Sequence, residues 1–314
     1  MKKLCVYMGD ELSEYHFGSR HPFGPFRYAA FYQEFKNRGL EEKVKICTPV
    51  QATEQQLALF HSEEYIDQVQ RQSESGKGFL DLGDTPARKG IYTAAMTVVG
   101  TVLKAVDGIM TGSCYRAFVP IAGLHHARRD SAAGFCVFND CVLAIQTLKK
   151  IYGLTRIAYV DIDAHHGDGV FYAYEEDETI CIVDLHEDGH FLYPGTGFRE
   201  ETGIAKAAGS KLNIPLAPGT DDDIAQTLWE QAEQFIRSAE PEFIIFQCGA
   251  DSLAGDPLTD LKLSASFHGH VAHRLTMLAE ELGHRRLLAL GGGGYDLTNI
   301  ASAWNAVVGG MLDK

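Results

Sequence analysis

The sequence lacks paired cysteines, internal repeats, low-complexity tracts and any excess of basic residues. Its seven cysteines are scattered and none forms a Cys-x-x-Cys pair, which excludes a disulfide framework and a thiolate zinc finger and predicts reduced thiols in the core. Lys and Arg total 28 against 42 Asp and Glu, so the net charge is −14 and the surface repels phosphate backbones and anionic lipids. This charge argues against a nucleic-acid partner. The negative charge favours cationic ligands, although acidic residues that only keep the surface solvated would explain the same excess.

Long hydrophobic runs are also absent. No apolar run approaches the roughly 20 residues that span a bilayer, and the apolar stretch near the N-terminus ends at Gly9, too short for the core of a signal peptide. We therefore expect no membrane partner and a cytoplasmic location. The 314 residues are 45% hydrophobic and 22% charged, and no Pro- or Ser-rich linker divides them, so residues 1–314 are predicted to form a single globular domain.

The sequence does contain an alternation of short apolar runs and longer amphipathic stretches. Four runs are bounded by charged residues or glycine, as buried strands are, and four stretches have helical periodicity. The predicted strands are residues 156–161, 179–183, 243–247 and 286–290, and the predicted helices are residues 91–106, 139–150, 222–238 and 265–282. Strands that alternate with helices indicate an α/β protein with a mostly parallel central sheet flanked by helices.

Polar side chains follow all four predicted strands. Open parallel sheets place their sites at the carboxyl ends of the strands, so these side chains are expected to meet at one edge of the sheet. They are Asp161, Asp163 and His165 after the apolar run 157–160, Asp184 and His186 after 180–183, Asp251 after 243–246, and Gly291 to Tyr295 after 287–290.

The Asp-x-Asp-x-His segment that begins at Asp161 has the spacing of metal ligands. Side chains two residues apart point to the same side of an extended chain, so Asp161, Asp163 and His165 can face one pocket. Carboxylate and imidazole groups bind Zn²⁺ at about 2.0–2.2 Å, and a hydrolytic zinc site uses three protein ligands and one open position. Asp251 is the candidate third ligand. The alternative is that these residues only cap the helices that follow.

Two adjacent histidines, His125 and His126, form the second motif. Such a pair can act as an acid/base unit if each imidazole is oriented by its own carboxylate, and Asp161 and Asp168 are available for this. The alternative is a solvated surface pair.

Four glycines before Tyr295 form the third motif. No Gly-Lys-Ser/Thr follows them and the spacing of a dinucleotide fingerprint is absent, which argues against a nucleotide site. Backbone without side chains lets Tyr295 approach the pocket, where its hydroxyl can donate to a developing oxyanion. A tight turn with a core tyrosine is the alternative.

Together these segments resemble the histone deacetylase family of the arginase/deacetylase superfamily, from residue 21 to Tyr295. The compact length and residues 186–198 look most like the bacterial branch associated with acetoin utilisation. The resemblance rests on His125-His126, Gly134-Phe135-Cys136, Asn139-Asp140, the run from Asp161 to Asp168, residues 194–197, residues 249–257 and the run from Gly291 to Tyr295. It implies the arginase/deacetylase fold.

The resemblance also implies roles for the reacting groups. Asp163, His165 and Asp251 would bind a catalytic Zn²⁺. His126 would be the general base and then the general acid, with His125 as its electrostatic partner. Asp161 and Asp168 would orient these two imidazoles, and Tyr295 would polarise the substrate carbonyl.

Further positions match the family's substrate tunnel and its structural potassium. Gly134, Phe135 and Tyr193 would line a narrow acyl-lysine tunnel, with Leu258 at its rim. Asp84 would grip the substrate backbone, and Arg27 would lie near the channel for product release. One K⁺ would be held by Asp161, Asp184 and Leu185 together with the backbone of Asp163 and His165.

The activity so implied is zinc-dependent hydrolysis of an acylated amine, most simply N6-acetyl-lysine in proteins, with release of acetate and the free amine. An N-acetylpolyamine is the alternative substrate, although the apolar Leu258 stands where some polyamine-selective relatives use an acidic residue. An arginase-like ureohydrolase with two manganese ions is a further alternative, but Gly167 stands where that family needs a second bridging carboxylate. A non-catalytic reader of acylated lysine is the last alternative. The sequence makes no prediction of the oligomeric state.

Overall fold

A computed structural model describes residues 3–312, and within them eight strands form one sheet in which every neighbouring pair is parallel. The strand order is β2-β1-β3-β8-β7-β4-β5-β6. The strands are β1 Leu4–Tyr7, β2 Lys45–Cys47, β3 Arg116–Val119, β4 Ile157–Asp161, β5 Ile180–Glu187, β6 Lys211–Leu216, β7 Phe243–Gln247 and β8 Leu287–Leu290. The helices are α1 Arg27–Asn37, α2 Glu54–Leu57, α3 Glu63–Ser75, α4 Ile91–Met110, α5 Asp140–Lys150, α6 Asp168–Ala173, α7 Asp222–Ser238, α8 Ala265–Glu281 and α9 Leu297–Met311.

The four strands predicted from the sequence are neighbours in the middle of the sheet, in the order β8-β7-β4-β5. All their residues are buried on both faces, which is why they read as continuous apolar runs rather than as alternating ones. The prediction of an α/β protein with a parallel central sheet is confirmed. The carboxyl ends of these four adjacent strands lie at one edge, as the site requires.

Strand β5 is longer than predicted. It continues to Glu187 because its pairing with β6 continues, with Asp184 opposite Asn213 and Glu187 opposite Leu216. Asp184 and His186 therefore lie within the strand, and the expectation that they follow its end is corrected. Strand β6 was not predicted, since Lys, Asn and Pro interrupt its apolar pattern, and a strand at the sheet edge tolerates them.

One helix is more apolar than the sequence reading expected. Helix α4 has 20 residues with a mean hydropathy of 1.3 in its most apolar window, so by length and composition alone it is long enough to cross a membrane. The expectation that no apolar stretch approaches such a span is therefore wrong for this helix. In the structure 72% of that window is buried inside the molecule, and the helix packs against α5 and β3 as a core helix does.

The seven cysteines are all free. Six of them are buried and Cys47 is half-buried. This agrees with the prediction of reduced thiols in the core.

Candidate active site

Three side chains at the carboxyl ends of β4 and β7 form a compact group of metal-binding atoms. Asp163 and His165 follow β4, Asp251 follows β7, and one ligand atom from each lies within 4.8 Å of the other two. All three residues are buried. His165 Nδ1 lies 3.1 Å from Asp163 Oδ1 and 3.2 Å from Asp251 Oδ2. The structure thus brings together the three residues that the sequence indicates as candidate ligands. Asp251 lies 86 residues from His165 and 88 residues from Asp163 along the chain.

The electrostatics of this group favour a bound positive charge. Burial acts to lower the pKa of His165, but the Asp163 and Asp251 carboxylates beside it raise that pKa to about 10. Burial and the charge of Asp163 raise the pKa of Asp251 to about 7. Two buried carboxylates that face one imidazole are stabilised by a cation between them.

Backbone and amide donors orient the carboxylates. The amide nitrogen of Gln247 and the N–H of Gly293 each donate to Asp163 Oδ2 at 2.8 Å. The N–H of Ala164 donates to Asp251 Oδ1 at 3.0 Å. Each carboxylate is therefore held in one rotamer before any metal binds, and Gln247 is a site residue that the sequence reading did not identify.

The glycine run packs directly against these carboxylates. A Cβ at position 293 would lie 2.1 Å from Asp251 Oδ2, and Gly292 has φ of +73° with a Cβ position 2.5 Å from the Gln247 side chain. Only glycine fits at these two positions, because a side chain at 293 would collide with Asp251 and because the backbone at 292 has the left-handed conformation that glycine adopts readily. The run ends at Tyr295, whose ring lies 5.8 Å from that of Phe135 and whose N–H donates to Asp256 Oδ2 at 2.8 Å.

The histidine pair is buried, not solvated. His125 Nδ1 is 2.8 Å from Asp161 Oδ2, and His126 Nδ1 is 2.7 Å from Asp168 Oδ1, so each imidazole donates to its own carboxylate. The two Nε2 atoms are 3.1 Å apart, within hydrogen-bond distance of each other. Burial, followed by the neighbouring His125, lowers the pKa of His126 to about 4.

The loop that carries the histidines is clamped by Asn139 and Asp140 at the start of α5. The Asn139 amide nitrogen donates to the carbonyls of His125 at 3.1 Å and Ala127 at 2.9 Å, while its oxygen caps the helix by accepting from the N–H of Val142 at 3.0 Å. The Asp140 carboxylate accepts from the N–H groups of the two residues that precede His125. The sequence alone predicts no role for this Asn-Asp pair.

Asn139→Ala is expected to lower the free energy of unfolding by about 2–4 kcal/mol. The substitution removes a helix cap and leaves two buried carbonyls without their donor. Urea titration measures the change. Asn37→Ala, at an exposed asparagine that bonds only side chains on α1, is the matched control and should change stability by less than about 0.5 kcal/mol. Equal effects of the two substitutions would contradict the clamp.

Behind Asn139 lies His61, which is buried and uncharged. Its Nε2 accepts from the N–H of Asn139 at 3.0 Å, and its Nδ1 is 3.2 Å from the carbonyl of Arg129. Nδ1 therefore carries the hydrogen. Burial lowers the pKa of His61 to about 4.

The pKa of His61 is lower in the folded state than in the unfolded chain. The stability that the neutral imidazole contributes to the folded state is therefore fully present above about pH 6.5 and is lost as the pH falls toward 4. We expect about 3 kcal/mol of acid destabilisation from this residue. His61→Gln keeps a donor and an acceptor without titrating, so urea titrations at pH 7 and pH 4.5 should show a flatter pH dependence for the variant than for the wild type. Parallel pH profiles would disprove the assignment.

An open cavity of about 700 Å³ is lined in part by Gly134 and Tyr193, the residues that lie against the His126 ring. A Cβ at Gly134 would lie 2.4 Å from the His126 ring, so only glycine fits there, and the Tyr193 ring lies 5.2 Å from that of His126. Among the residues that line the cavity are Asp81, Leu82, Asp84, Arg128, Gly134, Tyr193 and Pro194. Burial and the neighbouring Asp81 raise the pKa of Asp84 to about 6.

Phe135 and Leu258, which the resemblance assigns to the tunnel and its rim, are not among the residues that line this cavity. The backbone of Phe135 is held by two hydrogen bonds, from its N–H to Thr85 Oγ1 at 3.1 Å and from the Tyr15 hydroxyl to its carbonyl at 2.8 Å. Leu258 is 37% exposed, and its N–H donates to Asp256 Oδ1 at 3.0 Å. The structure does not place Leu258 in the cavity wall with Asp84 and Tyr193.

Arg27 is fully buried beneath the glycine run. Its Nε donates to the carbonyl of Gly294 at 2.8 Å and its Nη2 to the carbonyl of Gly292 at 2.6 Å, while the guanidinium lies 3.9 Å from the Phe23 ring centroid. Nη1 is buried without a protein partner. The residue thus presents one free donor beside the ring of Tyr295.

Asp161, the partner of His125, forms a pair of buried carboxylates with Asp184. Asp161 and Asp184 are register partners on β4 and β5, and a Cβ at Gly167 would lie 2.8 Å from Asp161 Oδ2 and 3.3 Å from Asp184 Oδ2. Burial, followed by the charges of Asp184 and Asp163, raises the pKa of Asp161 well above its ordinary value. Leu185 is buried beside Asp184 on the same strand.

Comparison with known proteins gives consistent matches. The family model described as the histone deacetylase domain matches residues 21–311. The acetoin utilization protein AcuC of Bacillus subtilis (strain 168) is 36% identical over 299 residues, which cover 92% of this chain and 77% of that protein. Histone deacetylase clr6 of Schizosaccharomyces pombe is 31% identical, covering 98% of this chain and 76% of that protein.

Two further matches extend the comparison. Histone deacetylase HDAC1 of Drosophila melanogaster is 31% identical over 96% of this chain, and the match spans 58% of that longer protein. The crystal structure of the HDA15 HD domain superposes with a TM-score of 0.91 over 99% of this chain and 90% of that chain, at 24% identity. At this identity the superposition shows a shared fold.

Proposed function

The chain belongs to the histone deacetylase family, whose members are hydrolytic deacetylases that act on amides, and we propose that its substrate is N6-acetyl-lysine in proteins, which it cleaves to acetate and free lysine. The observation that carries this proposal is the position of the His126 imidazole between the Asp168 carboxylate and the compact group of Asp163, His165 and Asp251. That arrangement offers a proton acceptor next to three metal ligands.

The donor set suits Zn²⁺. Two carboxylates and one imidazole are ligands that zinc accepts in catalytic sites, and the group has a buried excess of negative charge. When bound, zinc polarises a carbonyl and lowers the pKa of water toward about 7. The residues described here contain one such three-ligand group, which favours a single-metal deacetylase over a two-manganese ureohydrolase.

The chain's own residues provide for the proton transfers of amide hydrolysis. His126 Nε2 accepts a proton from the attacking water, because its Nδ1 hydrogen is already held by Asp168 at 2.7 Å. The leaving amine needs a proton, and the same imidazole returns one to it. His125 lies 3.1 Å away and is held by Asp161. Together with burial it lowers the pKa of His126, which keeps Nε2 of His126 unprotonated and able to accept the proton.

Tyr295 and Arg27 complete the mechanism. The Tyr295 hydroxyl donates to the carbonyl oxygen of the substrate as negative charge develops there. The buried Nη1 donor of Arg27 offers a partner for the carboxylate product behind the glycine run.

The tunnel suits a linear acyl-lysine side chain. Phe135 and Tyr193 present aromatic surface, and Gly134 leaves room above the His126 ring. Asp84 at the cavity mouth can accept hydrogen bonds from a peptide backbone, as the resemblance implies. An acetylated polyamine is the second candidate, favoured by the net charge of −14. Arg128, an exposed cation in the same cavity lining, disfavours it.

We propose potassium as a structural cofactor at Asp161, Asp184 and Leu185. The two buried carboxylates lie next to each other beside Gly167, which has no side chain to fill the space between them. A monovalent cation there would reduce the electrostatic repulsion between the two carboxylates.

The deacetylase proposal is tested with a fluorogenic acetyl-lysine peptide, with acetylputrescine as the alternative substrate. We expect turnover of the peptide that is lost after treatment with a chelator and restored by one equivalent of Zn²⁺. Metal analysis of the purified protein should give one zinc per chain. A higher kcat/KM for acetylputrescine would replace lysine by polyamine as the substrate. Release of urea from arginine by a protein with two manganese ions would overturn the proposal.

A further inference from the structure

Arg128 is an exposed cation in the lining of the substrate cavity. It lines this cavity together with Gly134 and Tyr193, the two residues that lie against the His126 ring. Its side chain is 60% exposed, but its backbone is fixed by a turn in which its N–H donates to the carbonyl of Ser131 at 2.9 Å. An acylated side chain that reaches His126 past Gly134 and Tyr193 therefore brings the residues next to it close to this charge.

Most of the guanidinium of Arg128 is free to bind a ligand. Within residues 3–312 its side chain makes one hydrogen bond, from Nη2 to Asp168 Oδ2 at 3.2 Å. A guanidinium has five N–H donors in a planar fork, so several remain. The charge of Asp168 is buried and its other oxygen holds His126, whereas the guanidinium is exposed. A molecule in the cavity thus meets the cation of this pair.

The acidic residues of the cavity lining leave this cation exposed. Asp81 is occupied by its own loop, because Oδ1 accepts from the N–H groups of Gly83, Asp84 and Thr85 at 3.0, 3.1 and 2.9 Å, and Oδ2 accepts from the Thr85 hydroxyl. Asp84 is the other acid of the lining. Burial raises the pKa of the Tyr193 hydroxyl, and the charge of Asp84 raises it further while that of Arg128 lowers it. One anion and one cation therefore act on the region around Tyr193.

A guanidinium in such a position recognises a carboxylate. Its parallel N–H donors match the two oxygens of a carboxylate, and these charge-assisted hydrogen bonds are stronger than bonds between neutral groups. A basic side chain at the same place would be repelled. The net charge of −14 does not cancel this contact, because charges elsewhere on the surface are screened beyond about 8 Å at physiological ionic strength.

We propose that Arg128 is a specificity-determining residue, which binds the carboxylate of an aspartate or glutamate within two residues of the acetyl-lysine. This inference rests on the proposed function. Consecutive Cα atoms are about 3.8 Å apart, so residues up to two positions away lie within about 8 Å of the acetyl-lysine backbone. That distance is within reach of a long arginine side chain at the cavity lining.

The test uses acetyl-lysine peptides that differ only in having Glu or Gln at one position, from two residues before the acetyl-lysine to two residues after it. For the wild type we expect kcat/KM of the Glu peptide to exceed that of the Gln peptide by about 5- to 10-fold at one or more of these positions. Arg128→Gln should remove this preference. Arg128→Glu should reverse it, so that a peptide with Lys at the same position becomes the better substrate.

Arg129→Gln is the matched control. Arg129 is the exposed neighbour of Arg128, does not line the cavity, and donates to the carbonyl of Phe60 at 3.0 Å. This variant should keep the wild-type preference. A Glu placed about five residues from the acetyl-lysine should give no gain with any of the proteins, because it lies outside the screening distance of about 8 Å.

The ratio of the two peptides separates recognition from positioning. If Arg128 only held Asp168 in place, Arg128→Gln would slow the hydrolysis of every peptide equally and leave the ratio unchanged. If that variant is too slow to assay, fluorescence anisotropy with labelled Glu and Gln peptides gives the same comparison as a ratio of Kd values.

Two results would overturn the role of Arg128 while leaving deacetylation intact. These are equal kcat/KM for Glu and Gln peptides at all four positions in the wild type, or a preference for Glu that persists in Arg128→Gln. A preference for a peptide that ends in acetyl-lysine as the free acid over its amide, with no preference for Glu, would overturn the assignment to a side chain in favour of a terminal carboxylate. Failure of the wild type to hydrolyse any of the peptides would refute the proposed function and this inference with it.

Discussion

The His126→Ala variant is expected to hydrolyse an acetyl-lysine peptide with a kcat about 10²- to 10⁴-fold below that of the wild type, the range a positioned general base contributes. The Nδ1 atom of His126 is tied to Asp168 at 2.7 Å, and its ring centroid lies 5.9 Å from that of His165. The imidazole is thus held next to the metal-ligand group. His126 is the member of the pair whose ring lies against Gly134 and Tyr193, which line the cavity, so His125 is not placed to replace it.

The experiment needs a readout that separates chemistry from folding and metal loss. Zinc content and melting temperature of His126→Ala should stay close to the wild-type values, because the side chain contributes no metal ligand. His270→Ala removes an exposed histidine on α8 and should leave kcat unchanged. A His126→Ala variant with full zinc content and kcat within a few-fold of the wild type would refute the assignment of the general base.

Tyr295→Phe is expected to reduce kcat by about 10²- to 10³-fold with little change in KM, since the hydroxyl donates mainly to the oxyanion of the transition state. The glycine run holds the Tyr295 ring between Phe135 and the guanidinium of Arg27, and phenylalanine keeps those contacts. Burial, followed by the charges of Asp251 and Asp163, raises the pKa of Tyr295 well above its ordinary value, so it is a protonated donor at neutral pH.

The split between kcat and KM distinguishes this role from a merely structural one. A packing defect would lower the melting temperature and disturb both kinetic constants, whereas loss of one donor should affect kcat alone. Tyr32→Phe on α1, where the ring stacks on Tyr28, is the matched control and should leave both constants unchanged. If Tyr295→Phe keeps wild-type kcat, another group must stabilise the oxyanion.

The local chemistry of the site could be derived from the chain because the ligands lie at the ends of buried strands. Asp163 and His165 are two residues apart just after β4, and alternation along an extended segment is enough to place them together. The parallel sheet added Asp251, since the four predicted strands are neighbours and their ends share one edge. The catalytic roles of these residues stay predictions until the variants are measured.

Other parts of the site could not be derived in this way. Gln247 ends a strand that reads as ordinary core, yet its amide contacts Asp163, 84 residues away in sequence. Asn139 caps helix α5, and its second function as a clamp on the His125 loop depends on how that loop folds back onto the start of the helix. Such contacts leave no periodic pattern in the sequence.

The contacts of Lys211 also could not be derived from the sequence. In the sequence it is one of 28 basic residues, and a lysine before an apolar strand is usually solvated. Only the pairing of β5 with β6 brings its ammonium to the carbonyls of Asp177 and Ile180. The extension of β5 to Glu187 has the same origin, because edge pairing and not local propensity determines where that strand ends.

From its residues alone, then, this protein could be assigned an α/β fold, a metal-ligand set and a pair of carboxylate-oriented histidines, because hydrophobic periodicity and ligand spacing are local properties of the chain. The tertiary structure decided which side chains hold those groups in place and which carboxylates meet around Gly167. These depend on contacts between segments distant in sequence, whose geometry is set only when the sheet and its helices pack together.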